Sequence, residues 1–87
     1  MTATRPHEAV LSATYPSKRR ARVVADALGP EVGEIDDARS TTTVDRDGNA
    51  VRVRVRADDL VALRAGVNSW SRLVAVAERV GTRPTRG

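Results

Sequence analysis

The chain has 87 residues, no cysteine and only two aromatic side chains, so it is expected to form one domain without disulfides or cysteine-ligated zinc. Fifteen basic against eleven acidic side chains leave a net charge of +4 and an isoelectric point near 11.0, which points toward a polyanion partner such as RNA. No run of about 18 apolar residues is present to span a membrane, and the opening MTATRPHEAV lacks the basic-then-apolar order of a signal peptide, so a cytoplasmic location is expected.

Residues 1–6 show no periodicity and read as a flexible lead-in to a single domain over 7–81. His7 to Tyr15 has no internal Gly or Pro and is stopped by Pro16, which predicts a first strand with Ala9, Leu11, Ala13 and Tyr15 on one face and Leu11 inward. His7 is the sole histidine and reads as a solvated strand end, because no second ligand type accompanies it.

Ser17 supplies the N-cap of a helix whose narrow apolar stripe is Ala21, Val24, Ala25 and Leu28, ended by Gly29-Pro30. Its first turns carry Lys18, Arg19, Arg20 and Arg22, where the helix dipole disfavours cations. Two readings stand side by side: a cluster that receives phosphate together with free backbone N–H groups, and a solvated turn whose cost salt screens. Glu31 to Ala38 is acidic and reads as a connecting loop.

Arg39 to Val44 is predicted to pair with Ala50 to Arg56 across Asp45-Arg46-Asp47-Gly48-Asn49, with Asp-Gly as the turn. Val51, Val53 and Val55 alternate with Arg52, Arg54 and Arg56, the pattern of a sheet covered on one face. The row Arg52, Arg54 and Arg56, extended by Arg39, is a candidate surface for a polyanion, because alternate strand residues lie about 6.7 Å apart, close to the spacing of successive phosphates along a nucleic-acid strand. Solvation of the open face and protection against edge aggregation account for the same row equally well.

Asp58 to Val80 is predicted to be one long helix, with Asp58 as N-cap, Asp59 favoured by the dipole, and Gly81 followed by Pro84 as the stop. Leu60, Leu63, Val67, Trp70, Val74 and Ala77 repeat at the helical period and are assigned to the core. Ala62, Ala65, Gly66, Ser69, Leu73, Val76 and Val80 fall beside them, making the non-polar arc roughly twice the ~100° that one sheet covers. A domain of this size buries only a little over 60% of its unfolded surface, so a partner helix or a second copy is expected to cover the excess, although a helix tucked deeper into the chain's own core accounts for the same arc about as well. Residues 82–87, TRPTRG, read as a flexible basic tail.

No constellation carries catalysis. There is no cysteine nucleophile, no glycine-rich phosphate loop and no metal-ligand cluster, and Asp36-Asp37 and Asp58-Asp59 have structural explanations; neither enzyme activity nor a cofactor is expected. With two aromatics, any nucleic-acid contact is expected to be to backbone rather than to stacked bases.

The run Leu63-Arg64-Ala65-Gly66-Val67-Asn68-Ser69-Trp70, entered from a strand through Ala57-Asp58-Asp59, resembles the LR-a-x-x-NS signature of the Pcc-type small subunit of the KEOPS complex. Tyr15-Pro16-Ser17 is similar to that family's aromatic-Pro-Ser step into the first helix, and Arg39-Ser40 to its arginine opening the second strand. The ordered set spans residues 7 to 80 and departs from the pattern at Gly66 and Trp70. Pattern alone predicts an α+β two-layer sandwich, β-α-β-β-α, with two helices on one face of a three-stranded antiparallel sheet, and the resemblance implies the same order. It further implies a non-catalytic, archaeal-type, homodimeric subunit that docks on a threonylcarbamoyl-transferase. Through that subunit it would reach a kinase-like ATPase, in a complex that makes threonylcarbamoyladenosine in tRNA. Ala62, Gly66, Ser69, Leu73 and Val76 are the expected partner or dimer contacts, with Arg64 and Asn68 singled out by the motif. A stand-alone basic RNA-binding module is the alternative.

Overall fold

A computed structural model describes residues 5–33 and 39–82, and the side chains of 80–82 are outside that description. The elements are β1 (His7–Thr14), α1 (Lys18–Leu28), a short 3-10 turn (Gly29–Glu31), β2 (Ser40–Asp47), β3 (Ala50–Ala57) and α2 (Leu60–Thr82). The strands form one antiparallel sheet of order β1-β3-β2, so both neighbours of the Val/Arg strand are edges. Both helices pack on the same face, α1 over β2 and β3, α2 over β3 and β1. This is the predicted α+β two-layer order. The predicted lead-in, acidic loop and tail fall largely on residues 1–4, 34–38 and 83–87, outside the description.

The alternation along β3 decides which face is covered. Val51, Val53, Val55 and Ala57 are buried under the helices, with Ala21, Val24 and Leu28 from α1 and Trp70 and Ala77 from α2 above them. Ser17 caps α1 as predicted, its Oγ accepting from Arg20 N at 3.0 Å. Tyr15 ties three parts together. Its N–H donates to the Asn49 carbonyl (2.8 Å), its carbonyl accepts from Asn49 Nδ2 (2.9 Å), and its hydroxyl donates to Glu78 Oε2 (2.7 Å). Burial, and after it the hydrogen bond to a carboxylate, hold the Tyr15 phenol well above its ordinary range.

Four local expectations are corrected. The hairpin is longer than predicted: β2 runs to Asp47, which pairs with Ala50, leaving a two-residue tip of Gly48-Asn49. Gly48 at φ +62° and Asn49 at negative φ give the glycine-first turn that matches strand twist, so Asp45, Arg46 and Asp47 stay in the ladder. The cap of α2 is Asp59 rather than Asp58, its Oδ1 accepting from Ala62 N at 2.8 Å. Asp58 instead pairs with Arg5 (2.9 Å). Gly81 does not stop α2, which continues to Thr82, since a glycine adopts helical backbone where nothing forces it out.

The fourth correction is rotational. Ala62, Gly66, Trp70 and Ala77 are the buried stripe, whereas Leu60, assigned to the core, is 56% exposed. Trp70 and Ala77 hold their predicted core places and Leu63 and Val74 pack against the core, so the stripe is not replaced but centred further toward Ala62 and Gly66. The reason is Gly66. A Cβ built there would lie 2.8 Å from Val55 Cγ1, so the missing side chain lets the α2 backbone sit directly on β3.

Arg39 clamps the start of α2: its Nη2 lies 2.6 Å from both Asp59 oxygens and its Nε lies 3.1 Å from Oδ2. That guanidinium, followed by the Ala62 N–H, holds the Asp59 carboxyl below its usual value. A carboxylate depressed in the folded state stabilises above its unfolded pKa, about 3.9, and loses that contribution as pH falls through the folded value. Thermal melts of the wild type and Asp59→Asn are therefore expected to differ at pH 6 and to converge toward pH 3. A gap independent of pH would mean that the charge of Asp59 contributes nothing.

Candidate functional site

The open face of the sheet carries the predicted arginine row, but the row is not free. Arg56 Nε lies 3.0 Å from Glu8 Oε1, Arg54 Nε lies 3.5 Å from Glu8 Oε2, and Arg52 Nη2 lies 3.1 Å from Asp47 Oδ2 with Asp45 at 4.0 Å. Register explains this, because Glu8 faces Arg56 across β1·β3 and Asp45 faces Arg52 across β2·β3. Three arginines against Glu8, Asp45 and Asp47 sum to no formal charge on this face. Each pair is exposed and worth under about 1 kcal/mol, yet together they cancel the local field that would draw a polyanion. Arg39 is engaged by Asp59 and does not extend the row.

Several cations have no ion pair among the described residues: Arg46 at the end of β2, which donates to the Gly48 carbonyl at 2.9 Å, and on the helical layer Lys18, Arg19 and Arg22 of α1 and Arg64 and Arg72 of α2. Lys18 and Arg22 sit on the flank of α1 turned away from α2, and Arg19, Arg64 and Arg72 point outward. Arg20 is half-buried, facing Tyr15 where the two helices meet. The four α1 cations named from the sequence thus divide between an outer flank, an outward lip and the helix junction.

Of the residues assigned to a partner, Ala62 and Gly66 are covered by the chain's own sheet. The close approach that their small size permits is to β3, and they present no surface. Ser69 and Leu73 are half-buried, and Val76 (46%), Arg64 and Asn68 are exposed. Projected at 100° per residue, Ala65, Ser69, Leu73 and Val76 form the flank of α2 next to α1. Val23, 39% exposed, and Ala27 form the matching flank of α1. The seam between the antiparallel helices is therefore a shallow non-polar trough, bordered by Arg19 on one lip and Arg72 on the other.

A second uncovered surface, which the sequence did not single out, lies along β1. Leu11, Ala13, Tyr15, Val51, Val53, Ser71 and Val74 line a largely apolar groove between this edge strand and the far flank of α2. Its signal in the sequence is weak, because Leu11 and Val74 have the spacing of ordinary core residues and are in fact only half-buried. The opposite edge, β2, ends in Asp45, Arg46 and Asp47, the charges that keep an edge from pairing. On β1 the open face shows only Glu8 as a charge, and Val10 there is 44% exposed.

Among the described residues no group of three or more potential metal ligands occurs, and no helix is long and apolar enough to cross a membrane. The chain matches the family described as transcription factor Pcc1 over residues 8–81. Among solved structures it is similar to a chain of a binary Gon7-Pcc1 complex, with a TM-score of 0.77 and 19% identity over 88% of this chain and 94% of that one. No curated protein matches the sequence.

Proposed function

The chain belongs to the Pcc1 family of KEOPS accessory subunits, and from that premise we propose that it is a non-catalytic dimerisation and scaffold subunit supporting threonylcarbamoyladenosine formation in tRNA. The observation that carries the reading is the pair of uncovered non-polar surfaces on a domain whose core is already complete. The groove along β1 suits a second copy. Antiparallel pairing of β1 with β1 would satisfy the open backbone edge and bury Leu11 and Val74, giving a homodimer. The trough between α1 and α2 suits a helix of the transferase subunit, through which the kinase-like ATPase is reached.

Ser69 lies in the floor of that trough, so Ser69→Trp is expected to leave fold and dimer intact while abolishing retention of the purified transferase subunit on the immobilised protein. Normal retention of the transferase by a folded Ser69→Trp dimer would place the docking face elsewhere.

Contact with the tRNA backbone falls in this reading on Lys18 and Arg22, the cations without carboxylate partners on the outer flank of α1. Arg52, Arg54 and Arg56 then solvate the sheet. Changing those three to Gln is expected to leave the salt dependence of tRNA affinity of the assembled complex unchanged. Lys18→Gln with Arg22→Gln is expected to flatten log affinity against log salt by a little under one unit per lost contact. A flattened slope for the sheet variant would return the role to the row. The stand-alone RNA-binding module draws no support from an open face with no net charge.

A further inference from the structure

The trough between α1 and α2 has a charge pattern that specifies its occupant beyond its being non-polar. Val23 and Ala27 on one side and Ala65, Ser69 and Val76 on the other make the floor. Arg19 and Arg72 stand on the two lips without ion-pair partners among the described residues, and Arg64 continues the outer face of α2. Asp26 is the one carboxylate on the outer surface of α1.

We propose that this trough receives an acidic amphipathic helix, one whose narrow apolar stripe lies on Val23 and Val76 and is flanked on both sides by carboxylates that meet Arg19 and Arg72. The inference rests on the docking reading above and deepens it by assigning the chemistry of the partner's face.

Two other occupants are disfavoured. A second copy of this chain would bring Arg19 and Arg72 against their own kind. Neither of its helices offers an acidic flank either, because α1 carries four cations to one carboxylate and the single carboxylate of α2, Glu78, is bonded to Tyr15. A nucleic-acid backbone would satisfy the arginines but leave Val23 and Val76 against phosphates. No aromatic side chain lies on this surface to take a base in compensation, since Tyr15 and Trp70 are both buried. Apolar floor and cationic lips together fit a peptide helix, in the groove-binding mode where anchors at helical spacing set affinity and flanking charges set orientation and partner choice.

The test measures the Kd of the intact protein for the purified transferase subunit, by calorimetry at several salt concentrations. Four variants are compared: Arg19→Gln with Arg72→Gln, Arg19→Glu with Arg72→Glu, Arg19→Lys with Arg72→Lys, and Val76→Asp. Binding is expected to weaken about tenfold for the Gln pair and by more for the Glu pair, with the salt dependence reduced in both, while the Lys pair stays within a few-fold of wild type. Val76→Asp should also weaken it at least tenfold. Loss on Val76→Asp with no effect of the Gln and Glu pairs would overturn the acidic helix while leaving the docking reading in place. Failure of Val76→Asp to affect binding would remove the docking reading itself. Unchanged transferase binding with a lower tRNA affinity for the Gln pair would assign the lips to nucleic acid and overturn the proposal.

Discussion

Trp70→Ala is expected to remove most of the stability of the isolated protein. Trp70 is fully buried, the largest side chain in the core, and belongs to the cluster that joins the two helices to the β3 valines. Truncating a buried Trp to Ala costs about 3–5 kcal/mol, while the whole stability of a domain is about 5–15 kcal/mol and a chain of this size lies toward the low end. At about 4–8 °C per kcal/mol, the melting midpoint should fall by more than ~12 °C, or the cooperative transition should vanish. Trp70→Phe is expected to cost much less. It keeps most of the ring volume, and it removes an indole N–H that has no acceptor among the described residues. Circular dichroism melts of the three proteins check this. A loss under about 5 °C for the Ala variant would mean that the core closes over the gap and that Trp70 is not its keystone.

The second large effect concerns assembly. Val10→Lys with Ser12→Lys puts two cations on the open face of β1, where neither side chain packs on the helices. Exposed replacements of this kind usually change stability within about 0.5 kcal/mol each, so the monomer should fold. In a β1–β1 pair the new lysines face their counterparts at about 5 Å, the separation at which like charges oppose strand pairing. Light scattering at micromolar concentration is expected to give twice the 9.4 kDa chain mass for the wild type and a value near one chain for the variant. A variant that stays dimeric would exclude β1 as the two-fold contact. A monomeric wild type would exclude the dimer altogether.

The order of elements was legible in the residues because it depends on local signals. Ser17 before a helical stripe, Gly48 at a hairpin tip and valine alternating with arginine each act within a few positions. The same alternation told which side of the sheet is covered. That the chain has non-polar surface to spare was legible too, since the excess arc of α2 is a count. What the sequence could not decide was where that arc points. Gly66 and Ala62 read equally well as room for a partner helix or for the chain's own sheet, and the 2.8 Å limit against Val55 settles it for the sheet. That choice turns α2, uncovers Leu60, and moves the candidate docking surface to the seam with α1. The arginine row was legible only in part, for a related reason. Its period is a local property of β3, whereas its neutralisation by Glu8, Asp45 and Asp47 depends on strand register across two edges, which arises only when residues up to 48 apart in the chain are brought side by side.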